Sequence, residues 1–305
     1  MLLLLLLLAL SFVLIALVSG NNLSACTGAI IASRITSNRT GIGIAILGFV
    51  SGLVLQGSLL KKGIEAVMPV SSSVLLAEVF AIAIAVFIIA DRFRVPLSLT
   101  IVFTSMLAGI GLGMGSSVNW YFIVLIASFW VFVPLASVLL VPLLLRWLIE
   151  HTRNGHVWSR VRAIKFSLII VSFLTSFTLG ANTIGLLYSS IPASALYKLA
   201  VSIAAIIVGS IFISKGEIKR LGDEIVSLRY VNAIIAQLVS AAEVELATLL
   251  GVPLSNTQTF TASLYGAGYG YKARLMRKKP AYVIVTIWLT SAILSFLVAF
   301  AMARL

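Results

Sequence analysis

Charged side chains are scarce in this sequence of 305 residues. They make up 10% of it, whereas a soluble domain carries about a quarter. Hydrophobic residues make up 61%, and the mean hydropathy is +1.15. Polar side chains are too few to cover the surface of a folded chain of this length, so most of that surface must face membrane lipid. The sequence therefore predicts an integral membrane protein and excludes a soluble enzyme or binding domain.

Residues that usually carry out chemistry are also few. The single cysteine, Cys26, allows no internal disulfide. The two histidines, His151 and His156, lie five residues apart in a basic stretch, a poor spacing for metal ligands on one helix face. There is no HExxH, GxSxG or P-loop motif. We therefore expect no enzyme activity, no metal and no cofactor, with a membrane-embedded enzyme kept as an alternative class.

Ten apolar runs approach the length of about 20 residues that crosses a bilayer as a helix. Their approximate bounds are 1–20, 41–60, 70–90, 97–113, 119–147, 165–190, 198–214, 225–250, 254–271 and 281–303. The first run also resembles a signal peptide. However, it has no positively charged start, and part of it recurs later in the chain, so we expect a retained first helix.

Positive charge orients these runs. With ten crossings, 18 of the 22 Lys and Arg side chains fall on one side of the membrane. That side is expected to be cytoplasmic, which places both termini outside and the protein in the plasma membrane. Re-entrant segments at 97–113 and 254–271 are the alternative to full crossings there. Topology accounts for the net charge of +13, so we expect no nucleic-acid partner.

The chain is internally duplicated. VPLSLTIVFTSMLAGIGLG at 95–113 matches VPLSNTQTFTASLYGAGYG at 252–270 in 11 of 19 positions. A weaker match at nearly the same offset aligns residues 14–22 with residues 174–182. The duplication predicts two related halves.

The two halves are expected to have opposite orientations in the membrane. Five crossings per half is an odd number, so the second half enters from the other side. Transporters use such inverted repeats, often with broken helices, and bind their substrate at the midplane between them. We therefore expect an all-α polytopic membrane protein with a first repeat at 1–147, a basic cytoplasmic linker at 148–164 and a second repeat at 165–305.

A first pair of polar clusters interrupts the apolar runs at equivalent places. It consists of Gly20-Asn21-Asn22 and Gly180-Ala181-Asn182-Thr183. Glycine beside a small amide residue indicates a broken helix, and unwound backbone would add hydrogen-bonding groups to those of the Asn side chains. One copy would suit an ordinary helix C-cap, but two equivalent copies favour a binding site.

A second pair is Pro96-Leu97-Ser98-Leu99-Thr100 and Pro253-Leu254-Ser255-Asn256-Thr257-Gln258. Proline suits the first turn of a helix, so each copy predicts a helix N-terminus, where free N–H groups and the helix dipole attract anions. A plain N-cap, or Ser and Thr packing between helices, is the alternative. Neither cluster contains Lys or Arg, so we expect an anion held by neutral dipoles. The glycines at 109, 111, 113, 266, 268 and 270 are expected to let helices pack closely.

These motifs resemble those of the inorganic phosphate transporter (PiT) family, which includes sulfate permeases. That family carries duplicated GANDxAN-type and PVSTTH-type motifs, which correspond here to GNNLSA at 20–25, GANTIG at 180–185, PLSLTI at 96–101 and PLSNTQ at 253–258. The resemblance implies a secondary transporter of inorganic phosphate, or alternatively of sulfate, that works by alternating access in membrane lipid. Position by position, it implies substrate binding by Asn22, Ser98, Thr100, Asn182, Ser255, Asn256 and Thr257.

The coupling ion is a separate question. The family's acidic residue implicated in cation binding is replaced here by Leu23 and Thr183, and Leu23 offers no oxygen to sodium. Glu78 falls where the family often has a glutamate, with Gln237 as its counterpart in the second half. Intramembrane carboxylates are costly and are functional by default, so Glu78 is the candidate for proton coupling. Two further carboxylates in predicted spans are expected to make polar contacts with neighbouring helices: Glu243 and Glu245.

Other classes of membrane protein fit less of this pattern. A passive anion channel would also suit the repeats, whereas a scaffolding protein would not need duplicated polar clusters. The sequence leaves a homodimer open as the assembly. The function expected from the sequence is therefore cation- or proton-coupled transport of phosphate.

Overall fold

The computed structural model describes residues 2–68, 72–93, 97–151, 157–213, 230–270 and 281–305. Every regular element in these ranges is a helix. The α-helices are α1 Leu2–Ala32, α2 Asn38–Gln56, α3 Lys61–Val67, α4 Ser73–Arg92, α5 Leu99–Gly113, α6 Trp120–His151, α7 Val157–Leu179, α8 Gly185–Ser190, α9 Ala195–Val208, α10 Tyr230–Leu249, α11 Asn256–Gly270 and α12 Ala281–Met302. A 3-10 turn at Gly57–Leu60 joins α2 to α3, and π turns at Gly180–Ile184 and Gly209–Ile213 follow α7 and α9.

Each of the ten predicted apolar runs contains a helix, which confirms an all-α membrane protein. Within the described ranges, eight helical stretches are long and apolar enough to cross a bilayer, so the chain is a multi-pass protein. The remaining two segments, α5 and α11, have 15 described residues each. At 1.5 Å per residue they are about 22 Å long, shorter than the hydrocarbon core of about 30 Å. The described part of each segment is therefore shorter than a full crossing, and its length favours the re-entrant alternative.

Each short helix forms a hairpin with the helix before it. In the first hairpin α4 packs against α5, and in the second α10 packs against α11. The tip of the second hairpin lies between Leu249 and Asn256, and residues 97 and 98 belong to the tip of the first. These tips carry the second pair of polar clusters, apart from Pro96, which lies outside the described residues.

The helix contacts of the first half recur in the second. Helix α5 packs on α12, and correspondingly α11 packs on α6, so each short helix lies against the last helix of the other half. The first helix of each half, α1 or α7, also packs on the second long helix of the other half, α9 or α2. Within its own half, α1 packs on α4, and correspondingly α7 packs on α10. The packing therefore repeats with a period of five membrane segments.

Glycine brings α2 and α7 into backbone contact. A Cβ added at Gly52 would overlap the carbonyl oxygen of Phe177, and one at Gly180 would overlap that of Phe49. Small residues four apart, here Gly48 and Gly52, are a common basis of such close packing in membranes. Close packing was also predicted at the glycines of the two short helices, and it is confirmed at four of them. Gly109 and Gly113 lie against α12 and the residues that follow it, Gly111 lies against the end of α3, and Gly266 lies against α6.

The break predicted at Gly20-Asn21-Asn22 is wrong. Helix α1 continues through it to Ala32. The reason is local, because the side chains of Asn22 and Thr27 each donate to the carbonyl four residues earlier, at 3.0 and 3.1 Å, and leave the helical backbone bonds in place. In the second half, the equivalent cluster at Gly180–Ile184 forms a π turn rather than unwound backbone.

The predicted linker at 148–164 is largely helical where it is described. Helix α6 extends to His151, and α7 begins at Val157. Residues 152–156, including His156, lie outside the described residues. The described parts of the linker thus extend the two neighbouring membrane helices.

Candidate functional site

The two hairpin tips meet through a pair of serines. Ser98 Oγ donates a hydrogen bond to Ser255 Oγ at 2.6 Å. Both serines are buried, and each directly precedes a short helix, α5 or α11. These positions are equivalent in the sequence duplication, so the two halves touch at corresponding residues.

Both serines also cap the helices that they precede. Ser98 Oγ accepts a bond from the N–H of Ile101 at 3.4 Å, and Ser255 Oγ accepts one from the N–H of Gln258 at 3.1 Å. A cap satisfies one of the first N–H groups of a helix and leaves others without intrahelical partners. Two helix N-termini, each with partial positive charge, therefore converge on one place, which favours a bound anion.

A small cavity lies beside this contact. Its volume is about 20 Å³, room for about one water molecule. Its lining comes from α1, α4, the π turn after α7 and both hairpin tips: Asn21, Asn22, Phe87, Leu97, Ser98, Leu99, Thr100, Thr183, Asn256 and Thr257. All of these side chains are uncharged, so the wall offers dipoles rather than full charges.

Five of the seven residues predicted to bind substrate line this cavity: Asn22, Ser98, Thr100, Asn256 and Thr257. Thr100 belongs to the first hairpin and lies 3.4 Å from the hydroxyl of Thr183 in the second half. The predicted motifs of both halves thus come together around one cavity.

Asn256 is the most unusual residue of the lining. Its side chain is 3% exposed, yet neither its Nδ2 nor its Oδ1 has a hydrogen-bond partner among the described residues. An unpaired buried polar group costs about 1 to 3 kcal/mol, and most such groups are paired in folded proteins. An unpaired donor and an unpaired acceptor side by side on a cavity wall are suited to binding a ligand.

The other two predicted residues, Ser255 and Asn182, lie behind the wall. Asn182 Nδ2 donates to Thr248 Oγ1 at 2.9 Å and to the carbonyl of Val252 at 3.1 Å, and its Oδ1 accepts from the N–H of Leu254 at 3.0 Å. Both ends of its amide are therefore occupied by the second hairpin tip. In this structure Asn182 therefore holds the second hairpin tip in position.

Further contacts hold the second tip in place. Gly251 has φ +71°, and the N–H of Val252 bonds to the carbonyl of Ala247 at 2.8 Å, a glycine-terminated helix end. Trp130 Nε1 donates to the carbonyl of Pro253 at 2.9 Å. The backbone that carries Ser255 and Asn256 is thus fixed from α6 as well as from α10.

Several lining residues were not predicted individually. Asn21 and Thr183 belong to the polar clusters, directly beside Asn22 and Asn182, so the clusters themselves were the signal. The apolar members Phe87, Leu97 and Leu99 carry no sequence signal that separates them from other membrane residues.

The candidate coupling residue lies elsewhere. Glu78 is exposed on α4 and does not line the cavity. Its counterpart Gln237 is buried and donates to the carbonyls of Ala25 and Cys26. Leu23, at one position of the family's acidic residue, is fully buried among apolar side chains. Within the described ranges, no three His, Cys, Asp or Glu side chains are grouped so that they could hold a metal ion.

The two carboxylates of α10 make the expected polar contacts. Ser137 Oγ on α6 donates to Glu243 Oε2 at 2.5 Å. Gln56 Nε2 on α2 donates to Glu245 Oε1 at 2.6 Å. Both predictions of helix-to-helix contacts are confirmed.

Comparison with known proteins identifies the family of this chain. A protein of Methanocaldococcus jannaschii, provisionally named a phosphate permease, is 27% identical over 306 residues, covering 98% of this chain and 96% of that protein. The solved structure named the sodium-dependent phosphate transporter has the same fold, with a TM-score of 0.85 at 18% identity over 99% of this chain and 98% of that one. The profile of the phosphate transporter family matches residues 18–299. This chain therefore belongs to the phosphate transporter family, whose members are transporters rather than enzymes.

Proposed function

We propose that this protein carries inorganic phosphate across the plasma membrane. The observation that carries the proposal is the unpaired amide of Asn256 beside two converging helix N-termini. Hydrogen phosphate has oxygens that accept hydrogen bonds and a hydroxyl group that donates one. It therefore satisfies the Nδ2 and the Oδ1 of Asn256 together, while the helix dipoles stabilise its negative charge.

The same amide favours phosphate over sulfate. Sulfate at neutral pH has acceptor oxygens and no hydroxyl hydrogen, so Asn256 Oδ1 stays unpaired when sulfate is bound. One unpaired buried acceptor costs about 1 to 3 kcal/mol, which corresponds to about five- to 150-fold weaker binding. We propose phosphate as the preferred substrate and sulfate as the weaker alternative.

The proposed binding set consists of the cavity-lining residues of both motifs. Asn256 and Thr257 approach the substrate from the second hairpin, and Ser98 and Thr100 from the first, with Asn22 on α1. Ser255 and Asn182 support them by holding Ser98 and the second tip. A neutral wall binds an anion less tightly than a buried Lys or Arg would, which suits a substrate that has to be released.

Transport is proposed to occur by alternating access. A phosphate ion has five heavy atoms, whereas the cavity has room for about one water molecule, so the tips must separate to admit it. The repeats at 1–147 and 165–305 would move against each other, with the bond between Ser98 and Ser255 breaking as they part. The recurrence of the helix contacts in the two halves supports this division.

Orientation and coupling are also proposals. The positive charge places the linker at 148–164 in the cytoplasm and both termini outside. Coupling to protons is favoured over coupling to sodium because Leu23 and Thr183 replace the family's acidic residue. The sequence leaves a homodimer open, and the lining described for the cavity comes from a single chain.

Uptake into liposomes tests the proposal. The purified protein should accumulate labelled phosphate, arsenate should compete as well as phosphate does, and sulfate should compete at least about fivefold less well. The Asn256→Leu variant should lose uptake. The matched Ser128→Ala variant, at a half-buried position of α6 outside the cavity lining, should keep it. Accumulation against a phosphate gradient separates a carrier from the alternative, a passive anion channel, which would only equilibrate the label.

A further inference from the structure

Gln56 and Glu245 form a polar pair away from the phosphate cavity. Gln56 is the last residue of α2, and Glu245 lies in the last two turns of α10. Gln56 Nε2 donates to Glu245 Oε1 at 2.6 Å, which joins the first half of the chain to the second. Neither residue is among those that line the cavity.

One hydrogen-bond donor is missing from this pair. Gln56 Oε1 and Glu245 Oε2 are both buried, and neither has a hydrogen-bond partner among the described residues. Both atoms are acceptors, so neither can satisfy the other while the acid is ionised. A carboxamide and a protonated carboxyl group can form two hydrogen bonds, N–H to O and O–H to O. A single added proton therefore supplies the donor that this pair is missing.

Neighbouring charged groups do not supply that missing donor. Among the described residues, the titratable side chains nearest to the pair along the chain are Lys61, Lys62, Glu65 and Glu243, and those on α8 and α9 are Tyr188, Tyr197 and Lys198. Lys61 pairs with Glu65 at 3.6 Å, and Lys198 lies over the ring of Tyr188. Glu243 accepts from Ser137 on another face of α10. In the described part of the chain, Glu245 has no ion-pair partner within 4 Å.

We propose that Glu245 and Gln56 form the proton-binding site of this transporter. A proton from water binds Glu245 Oε2, forms a covalent O–H bond there and donates to Gln56 Oε1. The carboxylate loses its negative charge, and the proton later leaves to water on the other side of the membrane. This inference rests on the proposed phosphate transport and assigns its coupling to a site other than Glu78.

The position of the pair explains how a bound proton affects the phosphate site. Glu245 is ten residues before Ser255, on the helix that leads directly into the second hairpin tip. Gln56 directly precedes the 3-10 turn Gly57–Leu60. Ser189 Oγ donates a hydrogen bond to the carbonyl of Gly57 at 2.9 Å and so fixes the start of this turn. With the proton, two hydrogen bonds hold α10 against α2, and without it one remains. Proton occupancy therefore biases the position of the hairpin that carries Asn256.

The test uses full-length protein in liposomes that contain a pH-sensitive dye. For the native protein, an inward proton gradient should accelerate uptake of labelled phosphate, and added phosphate should acidify the interior. Glu245→Gln should reduce both effects at least about tenfold while exchange of internal for external phosphate persists. Gln56→Met, which removes both amide atoms at similar volume, should also reduce the acceleration. Glu65→Gln, at an exposed carboxylate, is the matched control and should behave as the native protein does.

Other results would overturn the inference. It fails if Glu245→Gln keeps its acceleration by the proton gradient, or if Glu78→Gln or Glu243→Gln loses it while Glu245→Gln does not. It also fails if a sodium gradient drives native uptake and a proton gradient has no effect. If the native protein shows no phosphate exchange, the proposed function itself fails, and that result is visible before any variant is compared.

Discussion

The side-chain oxygen of Asn182 accepts a hydrogen bond from the backbone N–H of Leu254 at 3.0 Å. Asn182 belongs to the first polar motif of the second half, and Leu254 belongs to the second motif of the same half. The bond therefore ties the two motifs of one repeat together. At the equivalent place in the first half, Asn22 instead donates to the carbonyl of Val18 within its own helix. The two halves thus share motifs but use their amides differently.

Asn182→Ala should destabilise the protein more than loss of an exposed Asn. It removes three hydrogen bonds and leaves the N–H of Leu254 unpaired in the interior, at a cost of at least about 2 kcal/mol. Asn119→Ala, which removes an exposed cap of α6, should cost about 1 kcal/mol. Thermal unfolding in detergent measures both. Equal unfolding temperatures for the two variants would contradict the positioning role.

Ser98 and Ser255 should be energetically coupled. Ser98→Ala and Ser255→Ala each remove a helix cap, worth about 1 kcal/mol of unfolding free energy. Since the two hydroxyls also bond to each other, the double variant should lose about 0.5 to 1.5 kcal/mol less than the sum of the single losses. Denaturant unfolding of the four proteins gives the coupling energy. Simple additivity would mean that the hydroxyls do not interact.

Asn256→Leu should separate stability from transport. Leucine has a similar volume and removes two buried, unpaired polar atoms, so the unfolding free energy should stay the same or rise by about 1 kcal/mol or more. Phosphate uptake should nevertheless fall below detection, because the donor and the acceptor are both lost. Unfolding and uptake are measured on the same preparation. A marked loss of stability would indicate that Asn256 has a structural partner and is not held ready for a ligand.

Glycine in the α2–α7 contact should not tolerate a side chain. At Gly52 the added methyl group of alanine would overlap the carbonyl of Phe177, so Gly52→Ala should cost about 1 to 3 kcal/mol. Gly43→Ala lies on the same helix with no atom within 4 Å of the added Cβ. It should be neutral or stabilise by up to about 1 kcal/mol, because alanine favours the helix. Unfolding temperatures test this, and equal effects of the two variants would contradict the close packing.

Composition and hydrophobic runs were enough to predict the membrane segments. A helix that crosses the lipid bilayer needs a long apolar run, and such runs are visible directly in the sequence. The duplicated motif around Ser98 and Ser255 likewise indicated which residues lie at the hairpin tips. Those predictions rest on local patterns, and the structure agrees with them.

Properties that depend on three-dimensional partners were not predictable. Asn182 and Asn256 are the same residue type in equally distinctive motifs, yet the amide of Asn182 makes three hydrogen bonds and that of Asn256 has no partner in the part of the chain that the structure describes. Gln56 and Glu245 are 189 residues apart, and no periodicity connects them. The prediction of a break in α1 was wrong because the side chain of Asn22 donates a hydrogen bond within its own helix. The sequence does not show whether a polar residue in an apolar run will make such a bond or interrupt the helix.

A structure of the protein with bound phosphate tests the central claim most directly. The account predicts phosphate between the two hairpin tips, with its oxygens within about 3 Å of Asn256 Nδ2 and Oδ1 and of N–H groups at the starts of α5 and α11. The bond between Ser98 and Ser255 should then be lengthened or broken. Phosphate bound elsewhere, with the amide of Asn256 still unpaired, would contradict the account.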